Sequence, residues 1–420
     1  MLYKVVILNK EIFSLKETSN ILSISPATLR RWDKAGKFSS IRNHINNYRE
    51  YTKDTIMTLE SGKLFFKNNH HNSISPLKKY TSIELFAGAG GLALGLEQAG
   101  IEHLMLNEID KYATKTLEIN RSNWNVIKGD IKDIDFTQYK DKIDLLTGGF
   151  PCQAFSYAGK KLGFEDTRGT LFFEFARALK ETNAPVFLAE NVRGLLSHEK
   201  GKTLSTMLEI LDDLGYHVFE PKVLKAIYYK VPQKRERLII VGIKKDYADK
   251  VNYEYPVPHK KIYNLEHALK KCEDSLYDCD VPKSFGQTYP KRKKEILDLV
   301  PAGGYWRDLP IELQKEYMQK SFYLGGGKTG MARRISWNEP CLTLTCAPAQ
   351  KQTERCHPDE TRPFQVREYA RIQTFPDEWQ FYGSPTHQYK QIGNAVPVNL
   401  AKEIGYSLIH LLNQVNSIQI

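Results

Sequence analysis

The sequence has no stretch of about 18 consecutive apolar residues, so it predicts no membrane-spanning helix. Its first residues are apolar for only a few positions and lack a small-residue cleavage site, so we expect no signal peptide. Cysteine is scarce, with 6 in 420 residues, and its spacing suggests neither a disulfide framework nor, without a CxxC pair, a metal site. These absences predict a cytoplasmic protein.

Basic residues outnumber acidic ones. Lysine and arginine total 60 against 49 aspartates and glutamates, which gives a formal net charge of +11. This excess favours a polyanionic partner, most simply nucleic acid, although an anionic membrane surface would also attract it. Hydrophobic residues make up 41% of the chain, enough for a buried core, and the length suits about two to three domains.

Two short helices joined by a turn are expected near the start of the chain. Ser14 and Glu17 have the spacing of a capping box, which marks the start of the first helix. Ser25 is a suitable N-cap for the second helix, with Pro26 at its first position, and Gly36 ends it. This pattern is typical of a helix-turn-helix.

The second helix carries candidate DNA contacts. These are Thr28, Arg30 and Arg31. Residues 1–75 contain 12 lysines and arginines against 6 acidic residues, and residues 15–36 with 48–51 resemble the winged helix-turn-helix of MerR-type regulators. The resemblance implies a DNA-binding module plus linker, able to repress a promoter or to add affinity for substrate DNA, with a dimer as one option. The alternative is an ordinary helix pair with solvated basic residues.

From residue 80 the sequence alternates between strand and helix patterns. Strands are predicted at 82–87, 103–107, 125–128, 143–147, 186–190, 217–225 and 237–243, and helices at 91–99, 110–119, 170–182 and 203–214. The alternation predicts an α/β fold with a doubly wound parallel sheet. The pattern stops within 246–332, which we expect to form a smaller, loop-rich domain. Residues 80–245 and 333–420 would form the main domain.

Three strand ends suggest a nucleoside-binding edge. The first runs into the glycine loop 86–91, the second into Glu108 and the third into Asp130. A glycine loop allows a ligand to approach a helix N-terminus, and by itself it fits a nicotinamide site, an S-adenosylmethionine site or a plain tight turn. Acids at the next two strand ends can accept bonds from ribose hydroxyls and an adenine amino group, which favours an adenosyl ligand.

The fourth and fifth strand ends add reactive groups. Cys152 follows a strand and lies in a turn bounded by glycines and Pro151, which favours a nucleophile over a buried structural thiol. Glu190 ends the fifth strand and is expected to lie beside Cys152. In the extended segment that follows, Gln233, Arg235 and Arg237 should project from one face and hold phosphate and a base carbonyl.

The chain from about residue 80 to 415 resembles the DNA cytosine-5 methyltransferases. The motifs that carry the resemblance are Phe86-Ala87-Gly88-Ala89-Gly90-Gly91, Gly149-Phe150-Pro151-Cys152-Gln153, Glu190-Asn191-Val192, Gln233-x-Arg235-x-Arg237 and Gln391-Ile392-Gly393-Asn394-Ala395-Val396-Pro397. The resemblance implies a Rossmann-like S-adenosylmethionine-dependent methyltransferase sheet with a target-recognition domain at 246–332. It also implies that a flipped cytosine in duplex DNA is methylated through a Cys152 adduct.

The resemblance assigns residues by position. The catalytic set is Cys152, Glu190, Asn191, Arg235 and Arg237. The set for S-adenosylmethionine, or its product S-adenosylhomocysteine, is Phe86, Gly88, Ala89, Gly90, Gly91, Glu108, Ile109, Asp130, Ile131, Pro151, Leu171, Asn394 and Ala395. The DNA contacts in the catalytic part of the chain are Gln153, Ser156, Arg168 and Gln233. The basic run Lys291, Arg292, Lys293 and Lys294 is expected to contact phosphates because of its charge, with an ordinary solvated charge run as the alternative.

Three functions remain open at this stage. The first is the modification enzyme of a restriction–modification system, acting as a monomer beside a cognate endonuclease that it need not bind. The second is a DNA-binding regulator with a vestigial methyltransferase domain, and the third is an RNA cytosine-5 methyltransferase. The intact Cys152, Glu190 and Arg237 argue against the second, and the appended helix-turn-helix argues against the third.

Overall fold

The computed structural model describes residues 10–22, 24–66, 74–151 and 171–419. The chain divides into two compact units, residues 1–72 with 257–262 and residues 73–256 with 263–420. Among the described residues, no helix is both long and apolar enough to cross a bilayer.

A small antiparallel sheet and short helices make up the described part of the first unit. The strands, paired in the order β1–β3–β2, are β1 (Ile12–Ser14), β2 (Ile41–Arg42) and β3 (Arg49–Thr52). The helices are α1 (Leu15–Leu22), α2 (Pro26–Lys34), α3 (Lys53–Met57) and α4 (Glu60–Phe66). Both predicted helix starts are present. The Ser14 backbone N–H donates to Glu17 while Glu17 N–H donates to Ser14 Oγ, and Ser25 Oγ accepts from the backbone N–H of Thr28 at 3.1 Å.

Helix α2 packs on the core of the first unit through one face. Leu29 is fully buried in a core that includes Phe13 and Tyr51. Asp33, near the end of α2, accepts from Arg49 Nε at 2.7 Å and from the Ser40 backbone N–H at 2.8 Å. Helix α2 is therefore joined to the β2–β3 hairpin, which leaves its other face to solvent.

The second unit is organised around a mixed sheet. Its order is β10–β12–β8–β7–β4–β5–β6, with β9 also paired to β12. The strands are β4 (Tyr80–Leu85), β5 (Ile101–Glu108), β6 (Val126–Lys128), β7 (Leu145–Gly148), β8 (Val186–Val192), β9 (Tyr216–Val218), β10 (Lys222–Lys225) and β12 (Glu236–Lys244). A separate pair joins β11 (Gln233–Lys234) to β13 (Cys341–Leu342).

The predicted parallel sheet has one antiparallel edge. Strands β4 to β8 are parallel to their neighbours, but β12 is antiparallel to β8, β9 and β10. The single strand predicted at 217–225 is two strands separated by a short break. An antiparallel strand can return over a short connection without the crossover helix that a parallel pair needs, so the alternation used for the prediction does not register it.

The helices of the second unit pack on the sheet or, for two of them, contribute to a smaller core. They are α5 (Gly91–Ala99), α6 (Lys111–Asn120), α7 (Leu171–Thr182), α8 (Lys202–Asp213), α9 (Lys245–Ala248), α10 (Leu265–Leu269), α11 (Lys291–Asp298), α12 (Ile311–Met318), α13 (Val366–Ile372), α14 (Pro385–Asn394) and α15 (Val398–Gln419). Helix α15 packs closely on α5, because a Cβ on Gly95 would lie 2.3 Å from the Cβ of Ala401. The end of the chain therefore returns to the first βα unit, as the sequence suggested.

A third, smaller core lies within the second unit. It contains Tyr289, Trp306, Tyr317 and Met331, and it takes in Cys356 from further along the chain. Helix α10 belongs instead to the core beneath the main sheet. The small core therefore occupies only the later part of the predicted 246–332 domain, and that domain division stays a prediction.

Candidate functional site

A cavity of about 710 Å³ opens where the carboxyl ends of β4 to β8 meet. This is the edge at which ligands bind in open α/β sheets. Its lining includes these predicted residues: Phe86, Gly88, Ala89, Gly91, Glu108, Ile109, Asp130, Ile131, Pro151, Leu171, Glu190, Asn191, Arg237, Asn394 and Ala395. Residues separated by up to about 300 positions therefore share one site.

The glycine loop is shaped by contacts on both sides. Gly88, at φ +55°, donates its backbone N–H to Glu108 Oε2 at 2.7 Å. A Cβ on Gly91 would lie 2.3 Å from the carbonyl oxygen of Val396, so only glycine allows the C-terminal segment to come this close. Gly90 is absent from the lining. At φ +82° it precedes α5, and a Cβ there would clash with Leu117, so Gly90 has a packing role.

Carboxylates line the end of the cavity beside β5 and β6. Glu108 accepts backbone N–H groups from Gly88 and Asp110, each at 2.7 Å, and burial raises the pKa of its carboxyl. Asp130 accepts the Lys132 N–H at 3.1 Å as an N-cap. Each carboxylate oxygen has two lone pairs, so both side chains can still accept bonds from a ligand.

The cavity carries an excess of acidic groups. Its lining contains five carboxylates, Glu84, Glu108, Asp110, Asp130 and Glu190, and two cations, Lys390 and Arg237. Each cation is paired with one carboxylate, Lys390 with Asp110 and Arg237 with Glu190. Burial raises the pKa of Glu84 to about 8. At neutral pH Glu84 is therefore mostly protonated, and the carboxylates in the lining that are not paired with a cation are Glu108 and Asp130. These two favour a cationic ligand over a pyrophosphate-containing dinucleotide.

The other end of the cavity contains the Glu190–Arg237 ion pair. Arg237 Nε lies against Glu190 Oε1, with both side chains almost fully buried. Burial raises the pKa of the Glu190 carboxyl, and the Arg237 guanidinium acts in the opposite direction. Asn191 donates from Nδ2 to the Phe150 carbonyl oxygen at 3.0 Å, which fixes the turn two residues before Cys152. Cys152 itself, with the predicted DNA contacts Gln153, Ser156 and Arg168, lies outside the described residues.

Two residues expected at the site serve the fold instead. Gln233 is fully buried, and its side chain bonds Gln373 at 2.9 Å, so it is not available to DNA. Arg235 is 1% exposed and is absent from the cavity lining. Its guanidinium donates to the carbonyl oxygens of Gly393 at 3.0 Å and Asn394 at 3.1 Å, the last residues of α14. Of the three side chains expected on one face of this extended segment, only Arg237 lines the cavity, because those of Gln233 and Arg235 are buried in the core.

The basic run on α11 is also partly structural. Arg292 pairs with Glu316 at 2.7 Å, and Lys293 pairs at 2.9 Å with Glu354, whose side chain is 0% exposed. Both were predicted as phosphate contacts, yet their charges are already compensated within the protein. Lys291 and Lys294 are exposed, so they remain candidates for DNA.

In the first unit the predicted contacts lie on α2. Arg30 and Arg31 are exposed, whereas Thr28 is partly buried and its Oγ1 bonds Ser25 Oγ at 2.9 Å. The two arginines are therefore the freer candidates for contact with a nucleic acid.

Several residues of the site were not predicted. They are Glu84, Asn107, Asp110, Lys390 and Gln391. Lys390 directly precedes the motif 391–397, Glu84 lies two residues before the glycine loop, and Asp110 follows the predicted Glu108 and Ile109. The charge of these side chains at those places was a usable signal. Asn107, which donates to two carbonyls of the β6 end at 3.1 Å, has no such signal. Among the described residues, no group of three or more metal-ligating side chains could hold a metal ion.

Comparison with known proteins gives consistent matches. A family model described as C-5 cytosine-specific DNA methylase matches residues 80–410, and one described as MerR HTH family regulatory protein matches residues 13–72. Type II methyltransferase M.Eco47II of Escherichia coli is 65% identical over 408 residues, covering 97% of each chain. Type II methyltransferase M.PspPI of a Psychrobacter species is 59% identical over 403 residues, covering 96% of each.

Solved structures share the fold at low identity. The S. pombe Dnmt2 methyltransferase is 18% identical with a TM-score of 0.51, covering 81% of this chain and all of that one. The Entamoeba histolytica methyltransferase EhMeth is 17% identical with a TM-score of 0.53, covering 79% of this chain and 98% of that one. These similarities support the α/β methyltransferase fold predicted from the sequence.

Proposed function

The chain belongs to the family of C-5 cytosine-specific DNA methylases, and from this premise we propose its cofactor, its chemistry and the roles of its residues. It is a DNA cytosine-5 methyltransferase of the type II restriction–modification kind. Its reaction transfers a methyl group from S-adenosylmethionine to C5 of a flipped cytosine in a specific duplex sequence, through a covalent adduct with Cys152. Its product S-adenosylhomocysteine would then leave the same pocket.

The observation that carries the proposal is the continuous cavity with two chemically different ends. Glu108 and Asp130 at one end suit the ribose and adenine of an adenosyl group, and Glu190 with Arg237 at the other suits a pyrimidine. Pro151, the residue before Cys152, also lines the cavity. A methyl donor and a base bound together there would meet close to the nucleophile.

The residues support a stepwise mechanism. Cys152 as a thiolate adds to C6 of the cytosine, which places an electron pair at C5. Glu190, whose carboxyl pKa is raised by burial, holds ring N3 and supplies it with a proton, so no full anion forms. Arg237 holds the O2 atom and orients Glu190. When bound, S-adenosylmethionine supplies the methyl group.

The remaining steps restore the base. A solvent base takes the C5 proton, the electrons of the C5–H bond expel Cys152 from C6 as a thiolate, and N3 returns its proton to Glu190, which regenerates the aromatic ring. Asn191 supports the step by fixing the Phe150 carbonyl, which holds the turn that leads into Cys152. In a duplex, stacking blocks attack on C6 from the ring face and base pairing occupies N3, so the cytosine must be flipped out, at a cost of a few kcal/mol.

Duplex DNA is the proposed partner, contacted through two regions. Residues 246–332 form the target-recognition domain, where Lys291 and Lys294 are free to meet phosphates. Residues 1–75 bind a second DNA site and regulate transcription of the system, supported by the MerR-type match and by the exposed Arg30 and Arg31. The enzyme acts as a monomer in the cytoplasm, beside a cognate endonuclease that it need not bind.

Bisulfite sequencing of DNA from cells that express the chain tests the enzyme function. The expected result is protection of one cytosine in a short recurring sequence, abolished by Cys152→Ala. Unprotected DNA with the native chain would refute the proposed function. Methylated RNA with unmodified DNA would favour an RNA methyltransferase, and full methylation by Cys152→Ala would refute the covalent mechanism.

A further inference from the structure

An ion pair crosses the rim of the cavity. Lys390 Nζ lies 2.9 Å from Asp110 Oδ2, and both residues line the cavity. The two side chains are 56% and 27% exposed, so the pair lies at the solvent-facing side. Lys390 belongs to α14, whereas Asp110 caps the start of α6, so the pair joins two walls built from distant parts of the chain.

The two carboxylate oxygens of Asp110 have different partners. Oδ1 accepts the backbone N–H groups of Tyr112 and Ala113 and so caps α6. Oδ2 is left for Lys390. The Asp110 backbone N–H in turn donates to Glu108 Oε1 at 2.7 Å. The pair is therefore attached directly to the carboxylate proposed to hold the ribose.

The same two helices are also joined deeper inside. Thr116 Oγ1 on α6 donates to Gln391 Oε1 on α14 at 2.6 Å, and both side chains are buried. This inner contact has no access to solvent, whereas the outer ion pair does. The Tyr112 ring on α6 also stacks on the His387 ring of α14, with centroids 3.7 Å apart. The Lys390–Asp110 pair is thus a solvent-facing polar link between the two walls, and its loss would loosen the rim while the other contacts keep the walls together.

We propose that Lys390 is a positioning residue that holds the rim closed over the adenosyl end of the methyl donor. The inference rests on the proposed function, since it assigns the adenosyl group to the Glu108 and Asp130 end. Lys390 acts through Asp110, without contact with the reacting atoms. It therefore controls how long both S-adenosylmethionine and S-adenosylhomocysteine stay bound.

The test measures ligand dissociation and steady-state kinetics in the full-length enzyme. In Lys390→Met, S-adenosylhomocysteine should dissociate about three- to five-fold faster. A change of this size corresponds to the free energy that a solvent-exposed ion pair typically contributes. KM for S-adenosylmethionine should rise by a similar factor, while KM for DNA does not follow it. Lys390→Arg should restore both values, because a guanidinium can also pair with Asp110.

Asp110→Asn gives an independent check, because asparagine keeps the helix cap and loses the ion pair. It should match Lys390→Met, and the double variant should show no further acceleration. The control is Lys115→Met, which removes an α6 ion pair with Glu118 at 3.1 Å on residues that do not line the cavity.

Native-like dissociation in Lys390→Met, additive effects in the double variant, or an equal effect of Lys115→Met would each overturn the role of Lys390. Failure of the native enzyme to bind either adenosyl compound would instead refute the proposed function. The two failures are therefore distinguishable.

Discussion

Lys293 offers a sharp test of how the basic run on α11 is used. Its ammonium lies 2.9 Å from a carboxylate of Glu354, whose side chain is 0% exposed, and it also donates to the Ala349 carbonyl oxygen at 2.7 Å. Tyr317 donates its hydroxyl to the same carboxylate oxygen, Glu354 Oε2, at 2.5 Å. Lys293→Met would leave this carboxylate buried with a phenol as its remaining strong donor.

Removing one partner of a buried pair costs about 3–5 kcal/mol, because the remaining charge is uncompensated. Lys293 keeps 18% of its side-chain exposure, so we expect the lower end, about 3 kcal/mol. Burial already raises the pKa of Glu354 and Lys293 opposes that shift, so in the variant the carboxyl would take up a proton on folding. A native state that binds more protons than the unfolded state loses stability as pH rises, so the deficit should shrink in acid.

The assay is urea denaturation combined with hydrogen exchange, which assigns the loss to the small core around Tyr289 and Trp306. Lys291→Met and Lys294→Met are the matched controls, because both lysines are exposed on the same helix. Each control should keep the free energy of unfolding within about 0.5 kcal/mol of the native value. Each should instead lower DNA affinity and reduce by about 1 the slope of the logarithm of the binding constant against the logarithm of salt concentration.

A double variant separates the buried pair from a general loss of packing. Lys293→Met combined with Glu354→Leu should recover most of the stability, because buried pairs can be replaced by apolar side chains. The reasoning would fail if Lys293→Met were as stable as the two controls and weakened DNA binding equally. That result would make Lys293 an ordinary phosphate contact.

Other predictions address different parts of the chain. Because burial raises the pKa of Glu84 to about 8, affinity for cationic S-adenosylmethionine should rise with pH up to that value, by at most about tenfold per unit. Calorimetry should show this dependence flattened in Glu84→Gln and absent for neutral adenosine. Arg235→Met should lower thermal stability and weaken cofactor binding together, since Arg235 holds the carbonyls at the end of α14. Arg30→Ala with Arg31→Ala should abolish binding to the system's promoter in gel shifts while methylation continues; loss of methylation would place α2 on substrate DNA instead.

Much of the architecture was predictable because it depends on local rules. Helix α5 has the predicted bounds 91–99, since a glycine loop precedes it and Gly100 follows it. The Ser14 and Ser25 caps form where spacing placed them, because an N-cap is satisfied within three residues. The acids at the ends of β5 and of the β6 strand share a cavity, because carboxyl ends of parallel strands meet at one edge.

The errors arose where partners are distant in sequence. Gln233 and Arg235 have the spacing of a displayed face, yet both donate to distant parts of the chain. Arg235 donates to the end of α14, about 160 residues later, and Gln233 donates to Gln373, which follows α13. Lys293 sits in a run that resembles a phosphate contact, yet Glu354 lies beneath it. The residues next to a donor in the sequence do not show which distant acceptor will lie beside it in the folded protein.

The sequence by itself determined the family, the α/β order of elements, the helix starts and the residues of the glycine loop and strand ends, because motifs and caps are local. Only the tertiary structure decided which of the spaced basic side chains face the cavity. It also paired Lys390 with Asp110 and turned one edge of the sheet antiparallel. These features depend on burial, strand pairing and charge pairs between segments about 50 to 280 residues apart, and spacing along the chain does not encode them.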